Sequence, residues 1–319
     1  MLDVLNNGVL LGRPQVAVRQ YEAQWRQLLA DVHARPLPPC PTEGFVLPIQ
    51  TDPLGSPLVS VVLTHYNRPK LLQQALESLE RQTFRNFEVV LVDDGSTDAE
   101  AIKFLSELSW TWWQERGWKV LREPNRYLGA ARNTGAKHAR GKYILFMDDD
   151  DVAKAEQVEW MARVAELTGA DVVTTGHELF SGRSMPQPHK ATARYVPLGP
   201  ALNNGVLKNV FGDSNMLVHR QFFIDSGGFT EEYGVGFEDY EFLAKVVTRD
   251  NHLEGCAQPL HWYRQHPGTM SLYTDLKAGQ VRYLRAYLEV FSYLPRMTQN
   301  LIRYARTTFF NLGTFNERD

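Results

Sequence analysis

Tyr143-Ile144-Leu145-Phe146-Met147-Asp148-Asp149-Asp150-Asp151 is the stretch that decides how this chain is read. Its apolar run reads as a strand buried in a sheet. The acids that follow fall at the strand's C-terminal end, the edge at which open α/β sheets hold ligands. Carboxylates crowded at the rim of a core repel one another and lose hydration, a cost that wide solvent exposure or a bound cation relieves. Side chains two apart in an extended segment point the same way, so Asp148 and Asp150 can face one site while Asp149 and Asp151 face elsewhere. Oxygen ligands of this kind suit Mg2+ or Mn2+, ions that keep positions open for phosphate oxygens. The plainer alternative is a solvated acidic turn that caps the next helix.

Working outward, strands alternate with helices. The patterning predicts strands over 58–63, 87–92, 119–122, 142–147 and 171–174, and helices over 69–81, 99–108, 128–139 and 155–168. Such alternation predicts the α/β class, with a mostly parallel sheet covered by helices on both faces. Upstream, Val16, Tyr21, Trp25, Leu28, Leu29 and Val32 recur at nearly helical spacing until Pro36, Pro38, Pro39 and Pro41 stop the helix. The expected division is therefore a docking helix and proline-rich linker over 1–56, an α/β domain over 57–272, and a helical region over 273–319.

Composition narrows the function classes. With 319 residues the chain can bury a large core, and its net charge of -3 argues against a general nucleic-acid binder. Cys40 and Cys256 lie far apart without metal-type spacing, which fits neither a disulfide scaffold nor a zinc site and suits a reducing cytoplasm. No apolar stretch approaches the ~20 residues that cross a bilayer, and a secretory signal is not recognisable, although peripheral contact with a membrane surface is allowed.

Two further strand ends converge on the acidic edge. The first strand stops at Thr64-His65-Tyr66-Asn67-Arg68 and the second at Asp93-Asp94-Gly95-Ser96-Thr97-Asp98. A tyrosine ring can stack on a base, and Asp94 can accept hydrogen bonds from a base or ribose. Neither GxGxxG after the first strand nor GxxxxGK[ST] occurs, so phosphate must be held by metal and cationic side chains. Arg132, within Gly129-Ala130-Ala131-Arg132-Asn133-Thr134-Gly135, offers a planar fork for a diphosphate. Taken alone, Asp94-Gly95-Ser96 is also an ordinary turn and helix-cap sequence.

Together these segments resemble the family 2 glycosyltransferases. Val59 to Arg68, Ser78 to Thr83 and Val92 to Asp98 look like the family's opening. Gly129 to Gly135 resembles its G-x-x-x-A-R-N-x-G, Phe146 to Asp151 its D-x-D-D, and Gly227-Gly228-Phe229 and Glu238-Asp239 its later markers. The resemblance covers about residues 57–272. It implies a GT-A fold, a nucleotide-sugar donor with uridine the commonest base, a divalent cation, Mn2+ or Mg2+, and inversion at the anomeric carbon. It also implies a donor-binding set of Thr64, Tyr66, Asn67, Arg68, Asp94, Arg132, Asp148 and Asp149, with Asp150 on the metal. Leu260 to Ser271 resembles the family's Y-R-x-H-x-G-x-x-S, whose histidine reaches the metal or the diphosphate; this makes His266 the candidate for the second metal ligand and puts Arg264 near phosphate charge. His261 aligns less well and reads as a core histidine satisfied by a backbone carbonyl.

The reaction needs a base. Glu238 and Asp239 follow a glycine pair and open a helical stretch, and adjacent helix residues diverge by about 100°. Asp239 is the expected base and Glu238 an acceptor-binding or orienting group. An ordinary carboxyl pKa near ~4 would make the base weak and proton transfer late. The acceptor expected from the resemblance is a saccharide or lipid-linked saccharide.

The remaining features are less specific. Trp110, Trp112, Trp113 and Trp118 fit either a partner surface or packing on the sheet. Arg282, Arg285, Arg296, Arg303 and Arg306 interleave with aromatics near the C-terminus. They suit an anionic membrane, docking on the core, or a neighbouring domain of a larger glycosyltransferase. Residues 181–197 read as a mobile loop able to close over donor. The rival functional readings are a nucleotidyltransferase, which usually carries a basic glycine-rich loop, and a non-catalytic sugar-binding or scaffold module.

Overall fold

Val59–His65 forms β1 and Phe87–Asp94 forms β2, both buried along their whole length. The structure, a computed structural model, describes residues 55–108, 112–187, 190–266 and 276–290, with Leu47 and a few residues between 292 and 302. The predicted helix over 14–33, the proline linker, Trp110, the segment 267–275 and residues 303–319 lie outside the described residues.

Between β1 and β2 runs α1 (Pro69–Glu80), started by a proline in its first turn, where a missing N–H costs nothing. After β2 come α2 (Ala99–Leu108), the short α3 (Trp112–Glu115), β3 (Lys119–Glu123), α4 (Leu128–His138), β4 (Tyr143–Asp148), β5 (Val152–Ala153) and α5 (Gln157–Thr168). The second half continues with β6 (Val172–Ser181), β7 (Ala193–Tyr195), α6 (Leu202–Gly205), β8 (Met216–His219), α7 (Arg220–Asp225), α8 (Glu238–Thr248), β9 (Leu253–Gln265) and α9 (Leu276–Val290).

The strands form one sheet in the order β3-β2-β1-β4-β8-β6-β9-β5, with β7 on β6. The β3-β2-β1-β4 half is parallel throughout. Beyond β4 the sheet is mixed, because β8 runs antiparallel to both β4 and β6 while β9 runs parallel to β6. The order reverses between β1 and β4, where Thr64 pairs with Asp148, and crevices at such a reversal are where open α/β sheets bind ligands.

Alternate strand residues feed two cores. Val61, Leu63, Leu91, Leu145 and Met147 pack under α1 and α5, while Val62, Val90, Val92, Ile144 and Phe146 pack under α4 and α8. Trp113 and Trp118 meet edge to face at 5.3 Å within the first core, which favours sheet packing over a partner surface for this pair. Tyr283, Ala286 and Tyr287 of α9 belong to the second core. Arg282 is buried with them, so this helix docks on the domain, and those residues are unavailable to a membrane surface.

Candidate active site

The loops after β1, β2 and β4 open on one cavity of about 1290 Å³, which the start of α8 and the segment ahead of β8 close from the far side. Tyr66 exposes 42% of its surface at this cavity, leaving its ring open to stacking. Asn67 also lines it, but its Oδ1 accepts from the backbone amides of Thr97 and Asp98, both at 2.8 Å. Its work is to tie the first two loops together. Asp94 accepts from the amides of Arg126 and Tyr127 at 2.7 and 3.0 Å, and burial lifts its carboxyl above the usual range.

The aspartate run divides as the alternation predicts. Asp148 and Asp150 line the cavity, whereas Asp149 and Asp151 are buried, so the solvated-turn alternative does not hold. Asp149 was expected to touch donor, and its geometry is different. One of its oxygens lies 2.6 Å from His65 Nδ1 and the other 2.5 Å from Arg68 Nη2. It positions the β1 loop from beneath. Arg68 in turn donates to Asp150 Oδ2 at 2.6 Å. Burial works against the charge of Asp150, yet the hydrogen bond to His266 and the Arg68 cation hold its carboxyl below the usual range. Asp151 lies well above that range through burial and the charges of Asp150 and Asp148.

Arg132 is buried and reaches in two directions. Its Nη2 donates to both oxygens of Asp148, at 2.7 and 3.0 Å, and its Nη1 donates to Glu238. The fork read as a diphosphate clamp therefore joins the β4 acid to the α8 acid. Asp148 is further held by Thr64 Oγ1 at 3.1 Å and Ser214 Oγ at 3.2 Å. Asn133, one residue on, clasps the backbone of Phe229 with its amide, donating to the carbonyl at 2.8 Å and accepting from the N–H at 2.9 Å. The two separated motifs around Arg132-Asn133 and Gly227-Gly228-Phe229 are thus one packing unit.

Glu238 also accepts from Arg282 of α9 at 3.4 Å, and Arg282 donates to the carbonyls of Val235 and Gly236. Glu238 is held between two arginines. Asp239 beside it is half-buried and lines the cavity. Burial, and then the Glu238 charge, push its carboxyl up to about 8. This surrounding thus lifts the carboxyl above the ordinary value near ~4 expected from sequence.

Of the histidine segment, His266 Nε2 lies 3.0 Å from Asp150 Oδ2, a hydrogen-bonding contact. Arg264 does not face phosphate. It is buried and donates to the carbonyls of Asp150, Gly182 and Ser184 and to Gln74 Oε1. These bonds anchor the described start of the 181–197 segment, and β7 pairs with β6 further along it, which differs from a freely mobile loop. His261 is buried, and instead of a carbonyl it meets Asp213 Oδ2 at 3.3 Å. Among the described residues, His177, Asp213 and His261 bring three metal-capable atoms within 4.8 Å of one another.

His177, Asp213, Ser214, Tyr195 and Tyr233 line the cavity and were not singled out from sequence. They come from mid-strand positions and irregular segments, where neither periodicity nor a local motif marks a ligand.

The cavity lies at the strand reversal of an α/β sheet of GT-A architecture and is ringed by acids and arginines. The chain belongs to glycosyl transferase family 2, whose profile matches residues 60–224, and a profile described as glycosyltransferase like family 2 matches residues 193–305. It is 26% identical over 223 residues to the uncharacterized glycosyltransferase EpsJ of Bacillus subtilis, covering 67% of this chain and 63% of EpsJ. An uncharacterized glycosyltransferase of Haemophilus influenzae is 26% identical over 244 residues, covering 72% of this chain and 76% of its own. The fold resembles that of S. aureus TarS residues 1–349 in complex with UDP-GlcNAc, at a TM-score of 0.60 and 22% identity, over 79% of this chain and 71% of that one. It also resembles the mannosyltransferase PcManGT of Pyrobaculum calidifontis in complex with GDP-Man and Mn2+, at a TM-score of 0.51 and 16% identity, over 85% and 78% of the two chains. No helix among the described residues is long and apolar enough to cross a membrane.

Proposed function

We propose that this chain is an inverting glycosyltransferase. It moves a sugar from a nucleoside-diphosphate sugar, UDP-linked in the first instance, to a hydroxyl of a saccharide or lipid-linked saccharide. The observation that carries the reading is Asp239, which lines the cavity from the first turn of α8 and whose carboxyl is pushed up to about 8. Tyr66 supplies a stacking face for the base and Asp94 an acceptor for its edge or for ribose. Asp239 takes the proton of the acceptor hydroxyl as that oxygen bonds to the anomeric carbon, and the electron pair of the breaking C–O bond leaves on the diphosphate.

The donor set suits a hard divalent ion. Burial first, and then the charges of Asp150 and Asp148, raise Asp151 well above its usual range, and a cation beside these acids would relieve their repulsion. Asp150 and His266 would hold Mn2+ or Mg2+, which when bound supplies positive charge to the leaving diphosphate. Arg68, now on Asp150, would share that carboxylate or turn toward the phosphates. The UDP-GlcNAc and GDP-Man bound by the two structural relatives support a nucleotide-sugar donor.

The test is Asp239→Asn, assayed for transfer from UDP- and GDP-sugars with nucleotide binding followed separately. Transfer is expected to fall by ~10²–10⁴-fold with nucleotide affinity retained. Transfer at the parent rate by a folded, nucleotide-binding variant would remove Asp239 from the reaction.

A further inference from the structure

We propose that His177, Asp213 and His261 form a binding site for one divalent transition ion of the zinc class, separate from the Asp150–His266 pair. The inference does not depend on the transferase reading.

Three separate parts of the chain build this group. His177 and His261 are direct neighbours on the parallel strands β6 and β9, just past a register irregularity at Gly176. Cross-strand partners project side chains to the same face, so the two rings stand side by side, 5.1 Å between centroids. The carboxylate arrives from the segment ahead of β8. There Gly212 takes φ +144°, and a Cβ on it would lie 2.6 Å from the Thr174 side chain, so only glycine lets the chain turn Asp213 inward. His177 is itself held between two stacked rings, Tyr195 at 4.9 Å and Tyr263 at 5.1 Å.

The three meet as close ion-pair contacts around one carboxylate oxygen, without the alignment of an N–H···O bond. Asp213 Oδ2 lies 2.7 Å from His177 Nδ1 and 3.3 Å from His261 Nε2. All three of these atoms, together with His261 Nδ1, are buried without an aligned hydrogen-bond partner. Buried polar atoms are rarely left so, and each needs an explanation. A common ligand satisfies three of the four at once. A tetrahedral ion with the bond lengths typical of zinc sets its ligand atoms about 3.4 Å apart, and the observed separations need shifts of roughly 1 Å or less for the two measured pairs.

Two imidazoles and one carboxylate select a borderline ion such as Zn2+ over Mg2+, which prefers oxygen alone. Three protein ligands also leave a coordination position open, and because His177 and Asp213 line the cavity while His261 lies behind them, that position can receive water or a sugar oxygen.

The experiment uses the full chain, stripped with a chelator and titrated with Zn2+ alone, and with Co2+ alone for its visible absorption. The parent is expected to bind zinc without nucleotide and to show the intense band of low-coordinate cobalt. Asp150→Ala should keep both signals. His261→Gln and the cavity-facing His177→Gln, each checked as folded by circular dichroism, should weaken zinc at least ~100-fold and lose the cobalt band. Absence of zinc binding in the parent overturns the proposal. So does zinc binding unchanged in either folded histidine variant, or lost on Asp150→Ala alone, which would place the ion with His266. Failure here leaves Asp239 and the transfer assay untouched, so the two readings fail separately.

Discussion

The two halves of the sheet place their site residues by different means. In the β3-β2-β1-β4 half the site groups, apart from Arg132 on α4, stand at the end of a strand or in the loop directly after it, so the buried run fixes their position from a few residues away. In the β8-β6-β9-β5 half only His266, directly after β9, stands at a strand end; the other groups come from the middle of a strand, as with His177 and His261, from an irregular segment, as with Asp213, or from a helix start, as with Glu238 and Asp239. The first arrangement is local and the second is assembled over long sequence separations. Arg132 crosses between them, with one arm on Asp148 and the other on Glu238. Against the penalty of its own burial, those two charges hold its guanidinium above its ordinary pKa. Arg132→Met would strand two acids in a poorly hydrated site, and removing one partner of a buried pair costs about 3–5 kcal/mol. Urea unfolding should show a loss of that size. A loss below about 1 kcal/mol would mean that the halves hold together without this arginine.

This contrast also explains what the sequence disclosed. β1, β2 and β4 are buried on both faces and read as continuous apolar runs, so their ends could be placed within two residues, and the acids behind Met147 came with them. Thr64, Tyr66, Arg68, Asp94, Arg132, Asp148 and Asp150 do reach one cavity, as do Glu238, Asp239 and His266. What stayed hidden was which partner each charge would take. Arg132 and Arg264 are both arginines in recognisable motifs, yet one spans two carboxylates and the other spans backbone carbonyls, a difference made by tertiary approach alone. His177 and Asp213 carried no signal, because the bulge and the glycine turn that bring them together leave no periodic trace.

Packing in the first half can be broken at Gly135. This residue lets α4 lie directly on β1, and a Cβ there would come within 2.3 Å of Val62 Cγ1 and 3.2 Å of Val92 Cγ2. Val62 is fully buried and cannot swing away. Gly135→Ala is therefore an overpacking substitution, expected to cost about 1–3 kcal/mol and to shift Arg132 on the same helix. Denaturant midpoints measure the first effect. If the substitution is neutral, α4 is free to lift from the sheet, and the local precision attributed to this half is overstated.

A smaller effect is expected at Tyr66, whose ring is the exposed apolar surface of the β1 loop. Its backbone N–H, at 3.3 Å from Asp149 Oδ2, keeps the loop in place whatever side chain it carries. Tyr66→Ala should therefore weaken nucleoside diphosphate binding roughly tenfold, within the range of one base–aromatic stack, without changing the melting temperature of the ligand-free protein. Calorimetric titration with UDP and GDP separates the two outcomes. Equal affinities for parent and variant would move the base away from the β1 loop.

The smallest effect sharpens the second half, through the pH dependence of Asp239. Its carboxyl, at about 8 in the folded chain, is raised from an unfolded value near ~4 by burial and by Glu238. A raised carboxyl binds its proton more tightly when folded, so the stability linked to it is complete below about pH 4 and is lost as pH rises through about 8. Asp239→Asn removes the titrating charge. The variant should match the parent at pH 4 and melt above it at pH 8. Because Asp239 is only half-buried and solvent screens its charge, the gain should be near 1 kcal/mol, or about 2–4 °C, far below what the full shift would give. Activity should move oppositely, since the parent needs the ionised base and its rate should climb toward pH 8 as stability declines. Identical melting curves for parent and variant across this range would show that the helix start leaves Asp239 as well hydrated as an ordinary surface acid, and the case for a tuned base in this half would be lost.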